Sequence, residues 1–191
     1  EPAVDLAAGQ QARGATVTVV CGEATLPSGR RNESVAANVA ARGLSPAVEL
    51  PIEEEANWLV RWAAADTLAE WLAENPVDVL HCHTRTGHSV AVRSARMIER
   101  GRRPLVVRSD YHIDGHGWGW GLTGSGRTTD GWVVLAEDQR QRLTHRLGFA
   151  AERTAVIEPG IDYARFAAPR PDGARLFNLG DDRFVIGVVM N

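Results

Sequence analysis

The most informative part of this sequence runs from Gly131 to Phe166 and reads GWVVLAEDQRQRLTHRLGFAAERTAVIEPGIDYARF. A short apolar run at 132–135 is followed by helical spacing over 137–147, with acidic residues first and basic residues last. A second apolar run covers 155–157. The turn at 158–162 contains a proline and a glycine, which let the chain leave a sheet sharply. This order predicts a strand, a helix and a strand joined as an α/β crossover.

The same alternation of apolar runs and helical spacing precedes this stretch. It predicts helices at 3–13, 33–42, 54–74 and 88–101, and strands at 16–21, 48–52, 77–83 and 105–108. Repeated βα units indicate an α/β, Rossmann-like, doubly wound and mainly parallel sheet with helices on both faces.

The longest predicted helix carries one apolar stripe at steps of three and four residues. We expect this stripe to lie on the sheet, with its tryptophans in the core. Its members are Trp58, Trp62, Ala65, Ala69 and Leu72.

Composition narrows the classes of function. With 191 residues, 44% of them hydrophobic, and a net charge of -3, the chain can bury one core without a metal or disulfide. All 21 basic residues are arginine, so a Schiff-base lysine and a Walker A loop are excluded. Scattered charges indicate no nucleic-acid surface, and no apolar run is long enough for a membrane span. Cys21 and Cys82 at strand ends predict buried free thiols in a cytoplasmic protein.

Ligands of doubly wound sheets bind at the carboxyl ends of the strands. By this rule the candidate residues follow the four predicted strands from 77 onward. They are His81, His83 and Thr84, then Arg108 to His112, then Glu137, and finally Glu158 to Asp162.

Two closely spaced histidines are one possible indication of a metal-binding site. His81 and His83 are two residues apart on a strand and therefore point the same way, while Cys82 points to the other face. His-x-His pairs occur in metal-dependent hydrolases, so such an enzyme is one alternative. The further ligands would come from 110–116, which includes two aspartates and two histidines.

A glycine-rich segment at 110–127 alternates glycines with Trp118 and Trp120. Tryptophan faces stack against the C–H surfaces of sugars, and glycines let a loop move. The segment is therefore predicted to be either a lid over an acceptor or an ordinary surface loop.

The order of these motifs resembles the N-terminal domain of a GT-B-fold glycosyltransferase of the retaining family-four type. The resemblance lies in Arg13 to Val20, in Val77 to His83, in Arg103 to Arg108, and in the stretch 131–166 quoted above. It therefore extends over nearly the whole chain.

The resemblance implies that this domain faces the acceptor and the sugar of a nucleotide-sugar donor, while a second domain binds most of the nucleotide. No cofactor or metal is implied. Catalytic contact with the donor sugar is expected from His112 first and Asp110 second, with Arg108 neutralising Asp110 as the structural alternative. The residues expected to bind substrate are His83, Thr84, Arg108, Tyr111, Trp118, Trp120 and Glu137, although Glu137 also suits stabilisation of its own helix.

The resemblance also predicts domain limits. Residues 1–183 correspond to the N-terminal domain without its usual central first strand, and 184–191 resemble the first strand of the second domain. We expect 184–191 to fill the vacant position in the sheet, or a homo-oligomer to exchange strands there. On this view the chain is a fragment that is inactive alone, and the alternative is a non-catalytic binding or interaction module.

Overall fold

A computed structural model describes most of the chain as α/β structure. The described residues are 2–22, 35–45, 47–52, 57–111 and 128–158, together with Gly160 and Ala167. The chain divides into two compact units, Glu1–Pro159 and Gly160–Asn191. The helices and strands given below all belong to the first unit.

A parallel pair of short strands forms the first sheet. Strand β1 (Val20–Gly22) pairs along its length with β2 (Val48–Leu50). Helices α1 (Pro2–Gln11) and α2 (Val35–Ala41) belong to the same part of the chain. An ion pair between Arg42 and Asp5 ties the end of α2 to α1.

Helices pack on both faces of this first sheet. Val19 packs with Val4 and Val39, which belong to α1 and α2. Val20, the next residue, packs instead with Leu50 and the helix that follows β2. Because successive residues of an extended chain point to opposite faces, the two helical layers lie on opposite sides.

The second sheet contains four parallel strands in the order of the chain. They are β3 (Val79–Cys82), β4 (Leu105–Asp110), β5 (Gly131–Val134) and β6 (Thr154–Val156), and neighbours in sequence are neighbours in the sheet. The parallel order confirms the predicted α/β crossovers and brings the carboxyl ends of all four strands to one edge.

Two long helices cover one face of the second sheet. Helix α3 (Trp58–Glu74) begins at Asn57, whose side chain accepts hydrogen bonds from the second and third backbone N–H groups of the helix. Helix α4 (Arg85–Met97) packs against it closely, since alanines line the contact. Ser94 of α4 also donates a hydrogen bond to the Ala65 carbonyl of α3 at 2.9 Å.

Helix α3 contacts both sheets through a single core cluster. Its Leu68 and Leu72 are buried with Leu50 of β2, while Val20 of β1 and Leu80 of β3 pack around them. Burial of each leucine contributes about 1.5–3 kcal/mol. Among the described residues β1 and β3 are not hydrogen-bonded to each other. The expectation that 184–191 fills this position lies outside the described residues and stays a prediction.

The prediction that both tryptophans of the apolar stripe lie in the core is wrong. Trp58 is 59% exposed and Trp62 is 48% exposed. The other predicted members, Ala65, Ala69 and Leu72, are buried as expected, and the buried stripe also contains Ala64 and Leu68. Small side chains are favoured there because α4 approaches too closely for an indole ring.

Helix α5 (Glu137–Leu147) has the predicted bounds. It ends at Gly148, whose φ of 65° is the left-handed conformation of a helix C-cap. Leu143 of α5 packs on Trp132 and Val134 of β5. A single 3-10 turn at Ala151–Arg153 then leads into β6.

The other predicted elements are present with shifted ends. The predicted strand at 16–21 is shorter, because only Val20–Gly22 pairs with a neighbour. Helix α4 begins at Arg85 rather than at 88, since Thr84 caps it. In the described part of the chain, no helix combines the length and apolar character needed to cross a bilayer.

Candidate active site

The carboxyl ends of β3 and β4 position the candidate site. The register places Cys82 opposite Arg108, and Cys82 packs against α4. His81 and His83, on either side of Cys82, therefore point away from α4. Their ring centroids are 4.4 Å apart, which confirms the predicted common face.

Each of these histidines is hydrogen-bonded to a hydroxyl from β4 or its end. His81 Nε2 lies 2.8 Å from Ser109 Oγ, and His83 Nδ1 lies 2.9 Å from the Tyr111 hydroxyl. The rings of His83 and Tyr111 also stack, with centroids 5.8 Å apart and 13° between their planes. Two neighbouring strands thus hold four polar side chains together, which we call the histidine–hydroxyl cluster (His81, His83, Ser109, Tyr111).

Burial favours the neutral form of both imidazoles in the cluster. Burial lowers the pKa of His81. Burial, with a smaller contribution from neighbouring His81, lowers the pKa of His83 to about 4. A neutral imidazole offers one donor and one acceptor, and a hydroxyl offers both. The arrangement therefore suits hydrogen bonds to a neutral polyhydroxylated ligand such as a sugar ring.

A buried charged cluster lies behind the sheet, on the side of α4. Arg108 Nη2 lies 3.7 Å from Asp110 Oδ2, and both side chains are almost fully buried. The Arg108 guanidinium also lies over the Trp132 ring, 5.0 Å from its centroid. His88 of α4 contacts the edge of Trp132 and is hydrogen-bonded through Nε2 to Thr129 Oγ1 at 2.9 Å. The Arg108–Asp110 pair thus has the geometry of the structural alternative predicted for it.

Burial dominates the electrostatics behind the sheet. It lowers the pKa of His88 to about 4, and the positive charge of Arg108 adds to this effect. Burial also raises the pKa of Cys82 to about 12, although Arg108 opposes that shift. Cys21 and Cys82 are both free thiols, and Cys82 is held in its unreactive protonated form.

Two predicted substrate-binding residues have local structural partners. Thr84 is the N-cap of α4, and its hydroxyl accepts a hydrogen bond from the Gly87 N–H at 3.0 Å. Glu137 is exposed in the first turn of α5 and forms an ion pair with Arg140, with 2.6 Å between Oε1 and Nη2. A role of either in binding substrate stays a prediction.

Three further candidates, His112, Trp118 and Trp120, lie outside the described residues. Their predicted roles in sugar contact stay predictions. Within the described ranges, no group of three or more His, Cys, Asp or Glu side chains comes together to hold a metal ion. His81 and His83 are instead each hydrogen-bonded to a hydroxyl of the cluster.

The sequence placed Ser109 within the candidate range Arg108 to His112 but gave it no role of its own. The available signal was the alternation of Val107, Ser109 and Tyr111, which places the two hydroxyls on one face of β4. It also gave no role to Gln139, which is buried and accepts a hydrogen bond from the Leu135 N–H at 2.8 Å. That bond fixes the turn between β5 and α5.

Comparison with known proteins adds a family and a fold. Residues 3–165 match the family model described as Glycosyltransferase Family 4. A solved structure of a glycosyltransferase from Rickettsia africae is similar in fold, with a TM-score of 0.65 at 13% sequence identity. That similarity covers 95% of this chain and 46% of the Rickettsia chain. No curated protein sequence matches the chain.

Proposed function

Because the chain belongs to glycosyltransferase family 4, we propose that it supplies the acceptor-side, sugar-facing half of an enzyme that transfers a sugar from a nucleotide-sugar donor. The chain spans less than half the length of the similar Rickettsia protein. We assign the binding of most of the nucleotide to a further domain of the parent protein, and the chain by itself is expected to be inactive. The reaction is placed in the cytoplasm, where free thiols are typical.

The histidine–hydroxyl cluster is the observation that carries this proposal. It lies at the carboxyl ends of two adjacent parallel strands, the usual ligand position of such sheets. Its side chains are buried or partly buried, burial favours the neutral form of the two imidazoles, and each side chain is oriented by a cross-strand hydrogen bond. Such a set binds sugar hydroxyls by exchanging donors and acceptors without the desolvation cost of a charge.

The cluster orients the donor sugar in this scheme. The acceptor hydroxyl attacks the anomeric carbon on the face from which the nucleoside diphosphate leaves, and the departing phosphate oxygen takes the hydroxyl proton as its bond to that carbon breaks. His83 and Tyr111 position the sugar for attack, because a fixed geometry removes much of the entropic barrier. His112 is proposed as a further contact to the donor sugar, and Trp118 and Trp120 as stacking surfaces for sugar rings.

Asp110 is the weaker of the two catalytic candidates. Its carboxylate is buried beside Arg108, on the side of the sheet opposite the cluster. This placement supports a role in holding β4 rather than in contacting sugar. No observation among the described residues favours a metal-dependent hydrolase or a non-catalytic module.

Assay of the intact parent protein against a panel of nucleoside diphosphate sugars tests the proposal. We expect acceptor-dependent release of the nucleoside diphosphate from one of these donors. His83→Asn should lower kcat/KM by about 10–100-fold, the usual cost of losing a positioned polar contact. Arg146→Gln, an exposed change on α5, should leave kcat/KM unchanged. Consumption of no donor, or equal activity in His83→Asn, would contradict the proposal.

A further inference from the structure

A groove with a volume of about 410 Å³ runs between α3 and α4. Both helices lie on the opposite side of the sheet from the histidine–hydroxyl cluster, so the groove is separate from the candidate active site. The residues that give it its character, and define what we call the α3–α4 groove, are Trp58, Trp62, Met97, Arg61, Arg93 and Arg96.

The groove exposes large apolar side chains. Trp58 and Trp62 are about half exposed, and their rings meet edge to face with centroids 4.9 Å apart. Met97 on α4 is 47% exposed. Tryptophan and methionine are enriched in the buried centres of protein interfaces, so an exposed concave set of them indicates a contact surface.

Arg93 gives the groove an oriented positive charge. Its guanidinium carbon lies 4.4 Å from the centroid of the Trp62 ring. Its Nη2 lies 3.8 Å from Asp66 Oδ1, at the long limit of an ion pair, so the charge is only weakly compensated. A guanidinium stacked in this way presents its donor edge to a carboxylate.

Charge complementarity defines the ligand. Three arginines line the groove, and none of the described residues that line it is acidic. Arg96 Nε donates a hydrogen bond to Thr128 Oγ1 at 2.8 Å, so Arg93 is the arginine that most favours an anionic group on the ligand. A ligand that suits the groove combines such a group with apolar side chains. Tryptophan and arginine are also the residues that most often dominate binding energy at protein interfaces.

The surrounding surface distinguishes a narrow segment from a flat membrane. Beyond Trp62 the exposed side of α3 continues with Asp66, Glu70 and Glu74, spaced about one helical turn apart. An anionic bilayer lying along α3 would face all three carboxylates, whereas a peptide segment bound at Arg93 would approach only Asp66, which lies 3.8 Å from that arginine. A two-fold dimer would place the arginines of one copy against those of the other.

We propose that the α3–α4 groove docks an acidic and apolar peptide segment of a partner protein. An apolar side chain of the segment inserts between Trp58 and Trp62. A carboxylate of the segment accepts hydrogen bonds from the guanidinium of Arg93.

Fluorescence anisotropy with a labelled peptide of alternating Glu and Phe residues tests this docking surface. We expect a dissociation constant of about 10–100 µM at low salt and weaker binding at high salt. Trp62→Ala and Arg93→Gln should each weaken binding about tenfold or more. Trp58→Ser provides a second exposed change should one of these variants fail to fold.

Matched controls test the location of the site. Leu105→Ala removes an equally exposed apolar side chain from β4, and Arg146→Gln removes an exposed arginine from α5. Both should bind the peptide as the unchanged protein does, and a peptide with Lys in place of Glu should not bind.

Four results would overturn the proposal. These are no binding at about 1 mM peptide, equal weakening in the two control variants, preferential binding to phosphatidylglycerol vesicles, and a dimer that dissociates in Trp62→Ala. The third result would assign the surface to a membrane, and the fourth to a second copy of the chain.

Discussion

His83 Nδ1 and the Tyr111 hydroxyl are 2.9 Å apart, and their rings stack with 13° between the planes. The contact joins the ends of two strands that are 28 residues apart in sequence. It therefore fixes a ligand-facing position through tertiary structure, not through local sequence.

Removal of this contact should affect catalysis more than folding. Tyr111→Phe keeps the ring and its stacking but deletes the hydroxyl. We expect the free energy of unfolding to fall by about 1 kcal/mol, the net value of one hydrogen bond. We expect kcat/KM of the parent enzyme to fall about tenfold or more. Urea unfolding and steady-state kinetics measure the two effects.

The double variant His83→Asn with Tyr111→Phe completes a thermodynamic cycle. A coupling free energy of unfolding of about 0.5 kcal/mol or more between the two positions is expected for residues in contact. Additive effects on stability would show that the two side chains do not interact.

Stability should decrease as the solution becomes acidic. The pKa of His88 is lowered to about 4, mainly by burial and further by Arg108, while a histidine in the unfolded chain has a pKa near 6.5. Between these values the unfolded chain binds more protons than the folded chain, so stability rises with pH. The stability that comes from burying a neutral His88 is complete above about pH 6.5 and is lost progressively as the pH falls towards 4.

His88→Gln should flatten this dependence. Between pH 7 and pH 5, the lowered pKa of His88 accounts for a loss of about 2 kcal/mol in the free energy of unfolding. Urea unfolding at the two pH values measures the change. Because the pKa of His83 is also lowered to about 4, His83 still makes stability depend on pH in the His88→Gln variant. Thr129→Val is the control, because it deletes the hydrogen bond to His88 without removing a titrating group. An unchanged slope in His88→Gln would contradict the prediction.

Removal of one partner of the Arg108–Asp110 pair should strongly destabilise the folded protein. Asp110→Asn leaves the buried Arg108 charge without its carboxylate, and Arg108→Met does the reverse. Each should lower the free energy of unfolding by about 3–5 kcal/mol. The double variant should cost less than the sum of the two. A stable Asp110→Asn variant that has lost transfer activity would instead identify Asp110 as a catalytic residue.

The two sides of α3 should respond differently to truncation. Leu68→Ala opens a cavity in the core cluster and should cost about 2–5 kcal/mol in unfolding free energy. Trp62→Ala, on the exposed side, should cost about 1 kcal/mol, much of it from the stacked Arg93. Urea unfolding measures both changes. An equal loss of unfolding free energy in Leu68→Ala and Trp62→Ala would contradict the exposed position of Trp62.

Sequence patterns predicted those helices and strands whose ends are set by neighbouring residues. The bounds of α5 follow from acidic residues in its first turn and from Gly148. Glycine adopts the left-handed C-cap conformation without strain because it has no Cβ. The common face of His81 and His83 follows from strand alternation, and so does the pairing of Arg108 with Asp110.

Features that depend on long-range contacts were not predictable in the same way. Helix α3 is apolar on more than one side, and only the close approach of α4 decides that alanines and leucines are buried while Trp58 and Trp62 are exposed. The contacts of Ser109 and Tyr111 with the histidines depend on the register of β3 against β4. No local pattern specifies that register.

The decisive measurement for the proposed transferase is the anomeric configuration of the sugar that it transfers. Proton NMR of the product formed by the intact parent protein reports this configuration from the coupling of the anomeric proton. We expect the product to keep the configuration of the donor and Tyr111→Phe to slow its formation. An inverted product, or a rate that is unaffected by Tyr111→Phe, would contradict a retaining family-four transferase that uses the histidine–hydroxyl cluster.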